Sequence, residues 1–280
     1  MPSLGHTIDI NNPFIDNEWV ANTKSLDFDG TGDYLRCGDL GDRLDAATQL
    51  CIKAWIKVDN RSSEQIILYK GDADDHIVLK INTSGKLVFS TTIGGDTSIA
   101  TSGNAIDEAA WEHVSVNWYG AQGTDATRVV MSINGGSNET IAFSGDVADW
   151  DLTDDKLADG GANQLQIGYD GSATFSGLMN ELCIWGNPVD ITNWSAVINP
   201  LVTRAYLADS KDGFIRNFRT PHSSNDYWMP ADIKLWLRFG DGGGDDTTAG
   251  NKIHDQSSGG FHGTVSGNPA FSTDIPGASD

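Results

Sequence analysis

From Lys24 onward the chain alternates apolar and polar residues in short runs separated by Gly, Asp and Asn, a period that predicts strands rather than helices. The runs place strands over 24–29, 33–38, 49–58, 64–70, 76–82, 86–92, 97–101, 111–119, 127–134, 138–143, 164–169, 175–185 and 232–239. Many short strands between turns is the pattern of a sandwich or barrel. In 111–119, Val114, Val116 and Trp118 share one face and His113, Ser115, Asn117 and Tyr119 the other, so the first face is core. In 127–134, Val129, Met131 and Ile133 share a face, and Asn134-Gly135-Gly136 supplies positive-φ residues for a hairpin turn. One short helix is predicted near 190–198, capped by Asp190 or Thr192 and ended by Pro200. Two segments keep no period: residues 1–23, read as an extended arm, and an excursion at about 200–230 that ends in Tyr227-Trp228. The expected organisation is an arm, 1–23, and one sandwich, 24–280, that includes the excursion.

The phase of three strands sets tryptophan opposite the core residues. Ile52, Ala54, Ile56 and Val58 alternate with Cys51, Lys53, Trp55 and Lys57; Leu182 and Ile184 with Glu181, Cys183 and Trp185; Ile233, Leu235, Leu237 and Phe239 with Lys234, Trp236 and Arg238. Strands that share a sheet would then give it an outer face of indoles and cations. A bare apolar patch of that size marks a contact, so something is expected to cover it. The cover is either the arm or the excursion of the same chain, or a neighbouring subunit or capsid surface docked through Trp55, Trp185, Trp236, Lys53, Lys57, Lys234 and Arg238.

Charge narrows the partners. Asp and Glu total 39 against 18 Lys and Arg, a net charge of −21, which argues against nucleic acid and anionic membrane. No run of eighteen apolar residues occurs, so no membrane insertion is expected. Three cysteines, at 37, 51 and 183, are too few for a disulfide scaffold and form no CxxC zinc pair. The N-terminal segment has neither a basic nor an apolar region of a signal peptide, so synthesis without secretion is expected.

Several segments together resemble the laminin-G-like, concanavalin-A-like jelly roll of lectins, pentraxin-like modules and phage virion proteins. They are Ser25-Leu26-Asp27-Phe28-Asp29-Gly30 with Asp33-Tyr34-Leu35, Cys51-Ile52-Lys53-Ala54-Trp55-Ile56-Lys57, and Trp111-Glu112-His113-Val114-Ser115-Val116. Phe175-Ser176-Gly177 then leads to Asn180-Glu181-Leu182-Cys183-Ile184-Trp185, and Leu235-Trp236-Leu237-Arg238-Phe239 to Asp255-Gln256-Ser257-Ser258-Gly259. The resemblance spans about 240 residues in order. It implies an all-β antiparallel sandwich, but fold alone does not fix function. It also implies a calcium site: Asp29 and Asp33 flank the turn Gly30-Thr31-Gly32, which in similar modules lies near the strand that carries Asn180 and Glu181. Asn180 stands where the family usually has Asp. The plain alternative is that Asp29 and Asp33 only hold turn amides.

Catalytic signatures are absent. A glucanase of this fold needs two Glu flanking an Asp on one strand, and the nearest Glu pair here is Glu108 with Glu112, four apart. HExxH, Walker A and GxSxG are missing too. Sugar binding needs an exposed ring beside polar groups, for which Trp118, Tyr119, Trp150 and Tyr169 are the candidates. The expectation is a non-enzymatic virion structural protein of head or tail, made in the host cytoplasm. It would dock on viral capsid or tail proteins, form a homo-oligomer, and display loops that contact a host surface glycan. The rival is a free, extracellular, calcium-assisted lectin, and behind it a glycosidase.

Overall fold

The computed structural model describes residues 19–38, 40, 49–119, 128–134, 139–145, 164–186, 214–216 and 233–276. Every element assigned among these is a strand, and every pairing between named strands is antiparallel.

The front sheet runs in the order β10 (Val129–Ile133), β9 (Glu112–Tyr119), β4 (Gln49–Val58), β13 (Ser176–Gly186), β2 (Ser25–Asp29), β18 (Ala270–Ser272), with β15 (Ile233–Leu237) also on β13. The back sheet runs β11 (Ala142–Ser144), β8 (Asp96–Ala105), β7 (Lys86–Ile93), β6 (His76–Ile81), β5 (Gln65–Gly71), β12 (Gln166–Ile167), β3 (Tyr34–Arg36), β17 (Gly263–Ser266), β16 (Lys252–Ile253). A two-stranded ribbon pairs β1 (Trp19–Ala21) with β14 (Phe214–Arg216).

All thirteen strands read from alternation are present at or within their expected ranges or a few residues beyond them. Strands β1, β14, β16, β17 and β18 were not expected. They are two to four residues long, and a run that short has too few positions for alternation to show.

Burial follows the predicted phase. Leu50, Ile52, Ala54, Ile56 and Val58 of β4 and Val114, Val116 and Trp118 of β9 lie in one core between the sheets with Phe28, Leu35, Leu68, Phe89 and Ile167. Two irregularities re-phase the front sheet. Pairing of β13 with β4 shifts between Asn180 and Cys183, where Glu181 takes a positive φ of 50°, so Met179 and Leu182 both reach the core although they are three positions apart and would fall on opposite faces of a regular strand. A second shift, between Ile184 and Trp185 on β15, pairs Trp185 with Ile233, and Ile233 joins Cys51, Cys183, Trp185 and Trp236 in a separate cluster instead of the core its phase predicted.

Gly177 marks a close backbone approach in this sheet. Its φ is 131°, and a Cβ there would sit 2.1 Å from the Lys57 carbonyl oxygen. Gly177→Ala is expected to cost about 2–4 kcal/mol, read as a lower urea midpoint, because the strand would have to leave β4 to fit one carbon.

The expected helix at 190–198 and the arm up to residue 18 lie outside the described residues, as does the excursion except for 214–216. That described part pairs with the end of the arm, Trp19 opposite Arg216 and Ala21 opposite Phe214.

Candidate functional site

The indole and cation face forms as the phase predicts, but not at the surface. With one chain present, Trp55, Trp185 and Trp236 are 6%, 2% and 2% exposed and Lys53 is 3% exposed. The Lys53 ammonium lies 4.7 Å from the Trp185 ring and the Arg238 guanidinium 5.5 Å from the Trp236 ring. Arg238 also donates to the carbonyl of Ala21, the last residue of β1, and Asp241 accepts from the amides of Thr23 and Lys24. The face is therefore buried with a single chain present, and among the described residues the segment that leaves β1 lies against its Arg238 end. Lys57 and Lys234 are half-buried, and Lys57 is paired at 2.7 Å with Asp274. This corrects the docking set for Trp55, Trp185, Trp236, Lys53 and Arg238, which are buried with one chain present and offer no open surface to a capsid, a tail or a second copy.

At the centre of this face, Glu181 accepts from Trp236 Nε1 at 2.6 Å and from Arg238 Nε at 3.0 Å. Complete burial drives its carboxyl up to about 7, further than Arg238 and the two hydrogen bonds bring it down.

The four residues expected around calcium are not brought together. Asp33 is buried, and its two oxygens accept the amides of Asn268 at 2.6 Å and Asp29 at 3.1 Å. Asp29 takes the amide of Thr31 at 2.6 Å. Asn180 instead donates to Asn22 and to the Lys24 carbonyl, and Glu181 serves Trp236 and Arg238. Ser176, not Asn180, is opposite Asp29, and the four-residue offset is about 13 Å of strand. Among the described residues no three His, Cys, Asp or Glu side chains converge to hold a metal. The quartet does not fit calcium, and Asp29 and Asp33 play the turn-amide role.

Of the glycan candidates, Trp118 is in the core and Tyr119 is 3% exposed on the covered face, which removes both as platforms; Trp150 is outside the described residues. Tyr169 remains. It is half-buried and stacks on Tyr34 at 5.0 Å and 29°, and the Arg36 guanidinium lies 5.3 Å from the Tyr34 ring. Tyr34 and Arg36 flank the core residue Leu35 on β3 and so face outward. Strand β12 pairs with β3, Gln166 opposite Arg36, which carries Tyr169 to its partner.

The same end of the sandwich holds a cleft of about 290 Å³. Three connections build it: the β2–β3 turn at Gly30, the β4–β5 connection at Ser63 and Glu64 running into Gln65, and the hairpin after Tyr169 with Ser172, Ala173 and Thr174, reaching Ser176. Gly30, at a φ of 77°, allows the close approach, because a Cβ there would meet Ser176 Cβ at 2.9 Å. Thr174 Oγ1 donates to the Gly30 carbonyl at 2.6 Å, Ser176 Oγ to Asp59 at 2.8 Å, and Ser172 Oγ to Asp170 at 3.0 Å. Gln65 accepts from the Ser176 amide at 2.7 Å and donates to Ser63 Oγ at 3.0 Å. Glu64 is paired with Lys80 at 2.7 Å. The wall is thus polar and internally braced.

Sequence reading missed this cleft, because its residues come from segments some 30 and 110 positions apart in the chain. The available signal was Tyr34, whose place beside Leu35 already put its ring outside.

The concanavalin A-like lectin/glucanases superfamily, in its laminin G form, matches residues 29–190 of the chain. No curated protein matches it by sequence. Among solved structures, a Bacteroides ovatus protein assigned to carbohydrate binding is similar over 92% of this chain and 62% of that one, at 16% identity and a TM-score of 0.55. A heptameric pentraxin from Limulus polyphemus covers 70% of this chain and 92% of its own, at 16% identity and 0.43. Tailspike protein 2 of Escherichia coli O157:H7 bacteriophage CAB120 covers 80% and 31%, at 13% identity and 0.42. At these identities the likeness is one of fold.

Proposed function

The chain belongs to the concanavalin A-like lectin/glucanases superfamily, and we propose from that premise that it is a non-catalytic carbohydrate-binding protein whose sugar site is the cleft beside Tyr169. The observation that carries this reading is that one hairpin, residues 169–176, bears an outward ring supported by Tyr34 and supplies Ser172, Thr174 and Ser176 to a hydroxyl-lined cleft. Sugars present an apolar face and a rim of hydroxyls, and they are held by a ring under the one and polar atoms around the other. Tyr34 and Arg36 behind Tyr169 fix its orientation before ligand arrives, which lowers the ordering cost of binding. Hydrolysis would need a second carboxyl across the sugar, and Glu64, paired with Lys80, is the one carboxylate among the described residues lining the cleft. A rival place on a viral lattice, docked through the tryptophan face, would require that face to be opened.

The test is binding of the full chain to a panel of oligosaccharides, followed by calorimetry on the tightest. Tyr169→Ala is expected to weaken binding by about 10–100-fold, the worth of one stacking ring, with the melting temperature held within about 2 °C. Unchanged affinity in Tyr169→Ala, or no binding anywhere on the panel, overturns the reading.

A further inference from the structure

Resting on the glycan-binding reading above, we propose that this cleft takes uncharged sugars and rejects sugars that carry a carboxylate or sulfate. The argument starts from where the protons go. Among the described residues four hydroxyls line the cleft, and three of them already donate inward: Thr174 to a carbonyl, Ser176 to Asp59 and Ser172 to Asp170. A hydroxyl has one proton, so each of these offers a ligand only lone pairs. Glu64 offers acceptors as well, and the Gln65 carbonyl oxygen is taken by the Ser176 amide. The wall is therefore rich in acceptors, and what satisfies it is a ligand that donates. Sugar hydroxyls donate, whereas carboxylates and sulfates accept only.

Charge points the same way. Glu64 is in the wall, Asp59 and Asp170 stand one hydrogen bond behind it, and Asp29 is beside Gly30 on the turn. Burial, and then Asp59, Asp33 and Asp29, raise the carboxyl of neighbouring Asp27, as crowded acids do. On the cationic side, Lys80 is held on Glu64, and the exposed Arg36 lies against Tyr34, not in the cleft wall. An anionic sugar would meet like charge and find few donors, against a chain whose net charge is already −21.

The experiment compares the tightest neutral oligosaccharide of the panel with the same oligosaccharide oxidised to the uronate at C6. Calorimetry on the full chain is run at about 20 mM and about 500 mM salt. The uronate is expected to bind at least about tenfold more weakly at low salt, one added charge at close range, with the gap shrinking at high salt. Asp59→Asn, which keeps an acceptor for Ser176, is expected to narrow the low-salt gap by about threefold. A uronate that binds as tightly as the neutral sugar at low salt overturns the selectivity, and so does a panel on which only acidic sugars bind, while either leaves sugar binding standing. Silence across neutral and acidic sugars alike overturns sugar binding itself and the selectivity with it.

Discussion

Replacing Arg238 with alanine is expected to destabilise the protein by about 3–5 kcal/mol at pH 8 and by clearly less at pH 5. Arg238 is the partner of a completely buried carboxylate, Glu181, at 3.0 Å, and it also holds the Ala21 carbonyl of the segment that leaves β1. Without the guanidinium, Glu181 must either keep an uncompensated charge or take up a proton. The sign follows from the raised carboxyl. Glu181 moves from an ordinary value of 4.5 to about 7 in the folded chain, so the folded state binds the proton more tightly than the unfolded one. The stability this group allows is fully present below about pH 4.5 and is lost as pH rises through about 7. Removal of Arg238 takes away a force that lowers the carboxyl, and the loss falls on the alkaline side. Thermal melts of wild type and Arg238→Ala across pH 5–8 read it directly, with a difference of about 5–10 °C at pH 8 for a chain of this size. The double variant Arg238→Ala/Glu181→Leu is expected to recover part of the loss, since it removes the stranded charge. A loss under 1 kcal/mol at pH 8, or one that does not vary with pH, would show that Glu181 reaches solvent.

Asp255→Ala is expected to cost about 4 kcal/mol at neutral pH. One buried carboxylate there serves four donors: the Trp236 amide at 3.0 Å, the Ser257 amide at 2.8 Å, the Ser257 hydroxyl at 2.7 Å and the Phe261 amide at 3.0 Å. Asp255 also bridges to Leu237, so it joins β15 of the front sheet to the β16–β17 segment of the back sheet. Alanine leaves the Trp236 amide without its acceptor in the interior, and the penalty is its desolvation as much as the lost bonds. Asp255→Asn keeps one acceptor oxygen but turns an amide donor toward donors, and about half the loss is expected. Urea unfolding with an unchanged slope measures both. Equal stability of Asp255→Ala and wild type would mean that the turn after β16 re-forms around water.

Much of the fold was legible because strand phase is a local property. Ile52 and Trp55 fall on opposite faces in any pleated strand, and the alternation from Gln49 to Val58 showed which face was core. The phase also put tryptophan and cations together on the other face, where Lys53 and Trp185 meet. It failed where a bulge intervened. Ile233 reads as core by count, and the register shift at Trp185 turns it out, since a bulge depends on the partner strand and not on the residue itself.

The candidate site was less legible. Trp118 and Tyr119 have the composition of a sugar platform, but a ring binds only where it is exposed, and the core and the covered face take both. Asp29, Asp33, Asn180 and Glu181 have the chemistry of a calcium site. Pair register instead sets Asp29 opposite Ser176, four residues along β13 from Asn180, and each of the four finds a nearer partner.

By itself the sequence determined an antiparallel sandwich, the face of each long strand that enters the core, and a net charge hostile to polyanions, because these depend on neighbours along the chain or on sums over it. Only the tertiary structure decided what those faces meet. It buried the tryptophan face within its own chain, turned the four acid and amide residues to separate tasks, stacked Tyr34 on Tyr169, and set Glu64, Thr174 and Ser176 around one cleft lined in part by the hairpin that follows Tyr169. The reason is that cover and convergence come from which distant strands pair and in what register, and a chain records its own alternation but not the identity of its neighbour across the sheet.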